Sequence, residues 1–282
     1  MTLFNNLLCP LDQEVLVHEG RSMHCPNGHV YDIAKSGYIN LLPVQKKHSK
    51  DPGDSKEMVS SRKQFLDSGI YDPIITGLHS FLFNGQNESA VLDAGCGDGY
   101  YLSKLIEENN RQSAQSQSIR NFESVGIDIS KWAITAASKR SKNVSWIVGS
   151  NANIPVSDCQ FDAVLCAFGF PVFSEFHRVL KSSGQLILVE SGENHLLELR
   201  ELLYPSIKEY RQTHMNGIDG FDLANEEKVT FKFHLGSQDE IAHLLSMTPH
   251  MHKAPYEGRQ KVQELKQLSL TADVVIRSFI KS

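Results

Sequence analysis

A chain of 282 residues has room for one large domain, or a large one with a small module, and for a sizeable buried core. With 40% hydrophobic and 22% charged residues, and apolar runs such as 163–173 and 186–189 far below the ~20 residues of a spanning helix, the composition excludes disordered and membrane-spanning classes. The net charge of −5 and pI near 6.2 exclude general coating of nucleic acid while leaving room for one local basic patch.

In chain order, the start MTLFNNLLCPLDQEV has neither a basic opening nor an apolar stretch of signal-peptide length, which speaks against export. Five cysteines, an odd number, argue for a reducing cytoplasm and against a disulfide framework. Residues 1–45 read as a module of their own, with short apolar stretches between turn residues. Within it Cys9, Asp12, Cys25 and His29 follow the spacing C-x2-D-x12-C-x3-H, close to a zinc ribbon. Zinc favours thiolates and imidazoles in a tetrahedron; a carboxylate oxygen also binds it, more weakly than a thiolate. The module either holds zinc through these four groups or is metal-free and held by Leu8, Leu11, Val15, Leu16, Val17, Val30 and Ile33.

Residues 46–85 read as a polar, basic linker leading into helices, the first over about 55–66. Between Lys46 and Lys63 six basic residues face three acidic ones, which is either a solvated hinge or a strip that lies along an RNA backbone.

From residue 86 strands and helices alternate: strand 89–95, helix 100–108, loop 109–120, strand 123–129, helix 131–140, then strands 143–149, 161–168 and 184–191. This pattern predicts a mostly parallel sheet with helices on both faces. In Val91-Leu-Asp-Ala-Gly-Cys-Gly-Asp-Gly-Tyr100 the chain bends from strand to helix at Gly95, Gly97 and Gly99. Asp93 and Asp98 would repel a pyrophosphate there, whereas the zwitterionic amino-acid end and sulfonium of S-adenosylmethionine fit. Asp128 at the end of the second strand is placed for ribose hydroxyls, and Asn151 for an adenine edge. Residues 204–236 read as a lid insertion, 237–247 as an amphipathic helix, and 268–280 as a closing strand or hairpin.

The segments CPNGHVYDIAKSGYINLLPVQKKHSKDPGDSKEM, RKQFLDSGIYDPI, VLDAGCGDGYY, GIDISKWAI, ENHLLELRELLY and LSMTPH make the whole chain resemble the bacterial 23S rRNA (guanine-N1)-methyltransferase family (RlmA/RrmA), and DPGDSKEM the branch acting on guanosine 745. The resemblance implies an α/β class I S-adenosylmethionine-dependent methyltransferase, Rossmann-like, with a seven-stranded sheet over residues 86–282 and a zinc-ribbon-like RNA-recognition module over 1–45. It implies cofactor contacts at Tyr71, Gly97, Asp98 and His195, zinc ligands at Cys9, Asp12, Cys25 and His29, and a homodimer whose cleft holds a 23S rRNA hairpin. Three positions depart from the family pattern: Asp12 replaces a cysteine, Asp98 a glutamate, and Phe168-Gly-Phe-Pro171 a Tyr-Ala-Pro.

A guanine N1 must be unpaired or splayed to react, and Phe168, Phe170 and Phe173 either form the stacking wall for it or pack a helix against the sheet. Asp162, Glu175 and His177 are nearby candidates for the base that removes the N1 proton, none singled out, and the structural reading of each carries more weight. Two alternatives share the fold: a small-molecule or quinone methyltransferase, and a catalytically silent RNA-binding protein.

Overall fold

The computed structural model describes residues 4–46, 49, 51–82, 88–116, 121–207, 209–210 and 217–282. Lys47 and Lys50 of the basic strip, 117–120 of the expected loop, and Lys208 and 211–216 of the expected lid lie outside the described residues.

The chain opens with a three-stranded antiparallel meander, β1 (Val17–Glu19), β2 (Ser22–His24) and β3 (Val30–Asp32), followed by β4 (Tyr38–Asn40). Two helices come next. In α1 (Lys56–Asp67) the Ser55 hydroxyl caps the first turn by accepting from the Met58 amide. In α2 (Asp72–Leu82) the apolar face of Ile74, Ile75, Leu78 and Phe81 is buried.

The large sheet is built from β5 (Glu88–Ala94), β6 (Asn121–Asp128), β7 (Ser145–Val148), β8 (Phe161–Ala167), β9 (Leu180–Ser191), β10 (Phe221–Leu235) and β11 (Leu268–Lys281). Between them run α3 (Tyr100–Ser116), α4 (Lys131–Arg140), α5 (Phe173–Val179), α6 (Leu197–Leu203), α7 (Gln238–Met247), α8 (His250–Lys253) and α9 (Tyr256–Gln263). The strand order is β10-β11-β9-β8-β5-β6-β7-β4, with β11 antiparallel to both its neighbours and the others parallel where paired. Such an order reverses beside β5, and in open α/β sheets ligands bind at that reversal, off the carboxyl ends of the strands.

Four expectations are corrected. Among the described residues the sheet has eight strands, because β4 of the first 45 residues pairs with β7 and extends it; three residues are too few to show a two-residue period. The expected separate module shares the main core. Phe4 stacks on Phe161 with ring centroids 5.2 Å apart, the Leu8 amide donates to the Pro155 carbonyl, and Leu16 and Met23 are buried in one cluster with Ile154, Val156 and Phe176. The second half of the expected lid is β10, paired along its whole length with β11 around one bulge at Leu223/Asn225. Its alternation of Val229, Phe231, Phe233 and Leu235 is a strand period, masked by seven successive exposed residues before it. The helix expected to stop at 108 runs to Ser116, since nothing in Asn109-Asn-Arg-Gln breaks it.

Candidate functional site

The carboxyl ends of β5, β8 and β9 open into a cavity of about 490 Å³, within the ~300–1,000 Å³ usual for small-molecule sites. Of the expected cofactor residues, Tyr71, Asp93, Gly95, Gly97, Asp98 and His195 line it. The glycine turn is made by three residues with positive φ. Gly99 is fixed by space as well as by φ, since a Cβ there would stand 2.5 Å from the Trp146 ring.

Asp93 is 1% exposed, and among the described residues neither carboxylate oxygen has a hydrogen-bond partner. Burial, with Asp128 and Asp98 adding negative charge nearby, pushes its carboxyl up to about 8. A buried acceptor without a donor costs free energy. A ligand ammonium supplies the missing donors, and a phosphate would add repulsion.

Sequence reasoning assigned Arg62 to a basic strip, but the structure turns it inward. Its guanidinium lies over the glycine turn, Nη1 3.4 Å from where a Cβ on Gly97 would stand, with Nη2 paired to Asp54 at 2.7 Å and donating to the Met247 carbonyl. Its Nε is buried and unpartnered among the described residues. The cavity thus holds a carboxyl group that a ligand ammonium would ionise and a cationic guanidinium, the complement of an amino-acid zwitterion. Two further cations of the strip are also engaged: Lys63 pairs with Asp67 and Lys56 lies over the Trp132 ring. The Asp51-Pro-Gly-Asp54 turn packs over the start of α4, where the Ser130 hydroxyl donates to the Asp54 carbonyl and a Cβ on Gly53 (φ +80°) would stand 2.8 Å from Ile129. Only tertiary packing reveals this inward turn; the local signal was six cations in eighteen residues.

Asp98 is 2% exposed and its carboxylate is bound by Arg140, which also pairs with Asp67 at 2.7 Å. It ties the glycine turn to α4 and α1. Asp128 and Asn151 stand just outside the cavity lining. The Asp128 carboxylate accepts from the Gly97 amide (3.0 Å) and the Ser130 amide (2.7 Å); the Asn151 side chain donates to the Phe170 carbonyl, 3.6 Å from a Cβ on Gly95.

His195 sits in a turn fastened to β11. The Gly192 amide donates to the Asp273 carbonyl, the Asn194 amide to the Asp273 carboxylate, and the Asp273 amide to His195 Nδ1. A ring nitrogen that accepts is unprotonated, and burial lowers the imidazole to about 4, so the neutral ring carries its proton on Nε2. Its ring packs with Phe168 (5.9 Å) and Tyr71 (6.3 Å), and Phe168 with Tyr101 (6.1 Å). Phe168 has φ +52°, a strained conformation for a bulky residue, held by its amide donating to the Val189 carbonyl. Two residues on, Phe170 is 90% exposed at the cavity rim.

The other expected substrate-side residues lie elsewhere. Phe173 packs against the core on α5. Asp162 is at the amino end of β8, accepting from the Ala90 amide and paired with Lys181. Glu175 binds Arg178 and the Ile154 amide, and His177 packs edge-on against Phe221. The structural reading of these residues holds, because α5 carries Phe173, Glu175 and His177 away from the strand end.

Cys9, Asp12, Cys25 and His29 converge, each offering one ligand atom within 4.8 Å of the others. The His29 Nδ1 is 3.1 Å from an Asp12 oxygen and 3.4 Å from the Cys9 sulfur, and the Cys25 sulfur is 3.2 Å from Asp12. The Asn27 amide, followed by the Cys9 thiol, holds the Asp12 carboxyl well below the usual carboxylate range. Two sulfurs, an oxygen and a nitrogen around one point are a donor set that zinc accepts.

Sheet order, glycine turn and the opposed Asp93 and Arg62 define a class I methyltransferase, the fold of S-adenosylmethionine-dependent enzymes. Residues 86–245 match the methyltransferase domain family, and residues 7–50 match the RlmA N-terminal zinc ribbon. The chain is 32% identical to YxjB of Bacillus subtilis, named for 23S rRNA (guanine-N1)-methyl transfer, over 97% of this chain and 96% of that protein. It is 27% identical to the 23S rRNA (guanine(748)-N1)-methyltransferase of Streptomyces fradiae, over 92% and 90%. A demethylmenaquinone methyltransferase of Thermotoga maritima is 34% identical, but over only 37% of this chain and 44% of that protein. The chain belongs to the 23S rRNA (guanine-N1)-methyltransferase family.

Proposed function

We propose that the protein transfers a methyl group from S-adenosylmethionine to N1 of a guanine in a hairpin loop of 23S rRNA, the guanosine 745 type, acting in the cytoplasm. The observation that carries this is the span of the family likeness, which includes the metal-binding module, whereas likeness to a quinone methyltransferase stays within 37% of the chain. Among the described residues no helix is long and apolar enough to cross a membrane.

Bound S-adenosylmethionine supplies a methyl already activated by its sulfonium, so the protein's task is positioning. Asp93 accepts from the ammonium of the methionine part, Arg62 donates to its carboxylate, and His195 adds an Nε2–H donor beside Tyr71. Asp128 and Asn151 stand where the ribose and adenine would extend. Phe170, exposed on the rim, stacks on the splayed guanine, with Phe168 behind it. Cys9, Asp12, Cys25 and His29 hold zinc and fix the shape of an RNA-facing module, and a homodimer cleft completes the RNA site.

Incubating the protein with unmodified 23S rRNA and cofactor, then extending a reverse-transcription primer through the hairpin, tests this. N1 methylation blocks the Watson–Crick face, so a new stop at one guanosine is expected, and its position separates 745 from 748. Full read-through by folded, cofactor-bound protein overturns the proposal. Gel filtration across concentrations tests the dimer, and a monomer throughout removes it.

A further inference from the structure

We infer that Glu190, held by Arg277, reads the guanine's Watson–Crick edge and takes the N1 proton; this rests on the guanine-N1 reading above. Glu190 is the next-to-last residue of β9 and lines the cavity. Its neighbour Val189 anchors the strained Phe168 through its carbonyl, so the carboxylate and the exposed Phe170 rim one opening. Beneath it Arg277 on β11 is 1% exposed, with Nη1 2.9 Å from a Glu190 oxygen and Nε 2.6 Å from Glu226 on β10. A buried guanidinium between two carboxylates on adjacent strands is a costly arrangement. It fixes the orientation of a carboxylate at the one place where substrate must arrive.

The cavity's other carboxylates are committed elsewhere. Asp54 pairs with Arg62, Asp98 with Arg140, and the buried Asp93 is the acceptor assigned above to the ligand ammonium. Glu190 retains 24% side-chain exposure. Guanine presents adjacent N1–H and N2–H donors, which a carboxylate accepts side by side; adenine offers an acceptor at N1 and is refused. As the N1 electron pair forms the bond to the methyl carbon, the N1 proton passes to Glu190 and then to solvent. The pair from the broken methyl–sulfur bond stays on sulfur.

The test compares wild type with Glu190→Gln, which preserves shape and an acceptor for Arg277 but turns an N–H pair toward the base. The substrates are synthetic 23S rRNA hairpins carrying guanosine or inosine at the modified position, assayed by single-turnover transfer of labelled methyl. Glu190→Gln is expected to lose about 10²-fold in rate at saturating RNA with S-adenosylhomocysteine affinity within twofold of wild type. Inosine, lacking the N2 donors, is expected to cost wild type at least about tenfold and the variant little. A Glu190→Gln rate within twofold of wild type, or an inosine penalty equal in both, overturns the assignment. If Glu190→Gln fails to fold, the double variant Glu190→Leu/Arg277→Met, which leaves no buried charge, is read by the same two ratios. No methylation by wild type on either hairpin overturns the guanine-N1 reading and this role with it; wild-type methylation with an unaffected variant overturns the role alone.

Discussion

Asp93 enters the cavity with its charge suppressed, and the consequences are measurable. Unfolded, the carboxyl titrates near its ordinary value of 3.8; folded and without cofactor, it titrates at about 8. Between those values the folded chain holds a proton that the unfolded chain lacks, so stability falls as pH rises from about 4 to 8 and levels above that. Asp93→Asn should flatten this slope, as read from denaturant midpoints at several pH values. Binding of a ligand ammonium ionises Asp93, so calorimetric titration at pH 6.5 in buffers of different ionisation enthalpy should show about one proton released, and none from Asp93→Asn. Equal release from both would show that another group meets the ammonium. For Arg62 the informative comparison is S-adenosylmethionine against its decarboxylated form. Wild type should prefer the former by about tenfold or more, the worth of a charge-assisted hydrogen bond, and Arg62→Met should bind both alike. Asp93, Gly95 and Gly97 were legible because one turn needs them in a row. Arg62 and Glu190 were not, because their meaning depends on which side of the sheet they reach.

The N-terminal segment and β10 are the elements whose roles changed most. Phe4 is 2% exposed and stacked on Phe161, so Phe4→Ala should cost about 3 kcal/mol. It should lower one shared thermal transition rather than uncover a separate early one; a distinct low-temperature transition would mean the module folds apart. The same coupling makes the four-residue cluster a stability element: chelation should lower that same transition. Elemental analysis should find about one zinc per chain in wild type and much less in Asp12→Ala. On β10, Phe233 packs edge-on with Phe65 and Tyr71 at centroid distances of 6.2 and 6.1 Å. Phe233→Ala should therefore weaken cofactor affinity several-fold as well as stability, by loosening Tyr71, although it does not line the cavity. Unchanged calorimetric affinity in a destabilised variant would contradict that link. The two-residue alternation of β10 was present in the sequence, but polarity pointed to a lid because an edge strand exposes one face and much of its length.

For the molecule as a whole, the net charge of −5 and the ion pairing of Arg62 and Lys63 point to a small number of phosphate contacts. Affinity for a 23S rRNA hairpin should fall with salt at a slope of roughly −3 in log–log terms, about four phosphates at −0.7 each. A slope near −10 would mean an extended basic surface. Removing residues 1–45 to separate RNA recognition from catalysis would delete a strand of the sheet and part of the core, so it should unfold the protein instead of yielding a small-molecule enzyme. The sequence by itself determined the parallel α/β core, the glycine turn with Asp93, and the four-residue cluster of Cys9, Asp12, Cys25 and His29. Each is a local pattern, in which a strand period, a tight turn or a ligand spacing is written in neighbouring residues. Tertiary structure alone decided that the module is fused to the sheet, that Arg62 of the basic strip turns inward over the glycine turn, and that Glu190 rather than any acid of α5 lines the cavity. Those outcomes depend on which distant strands and helices come together, and on where burial leaves a charge without a partner.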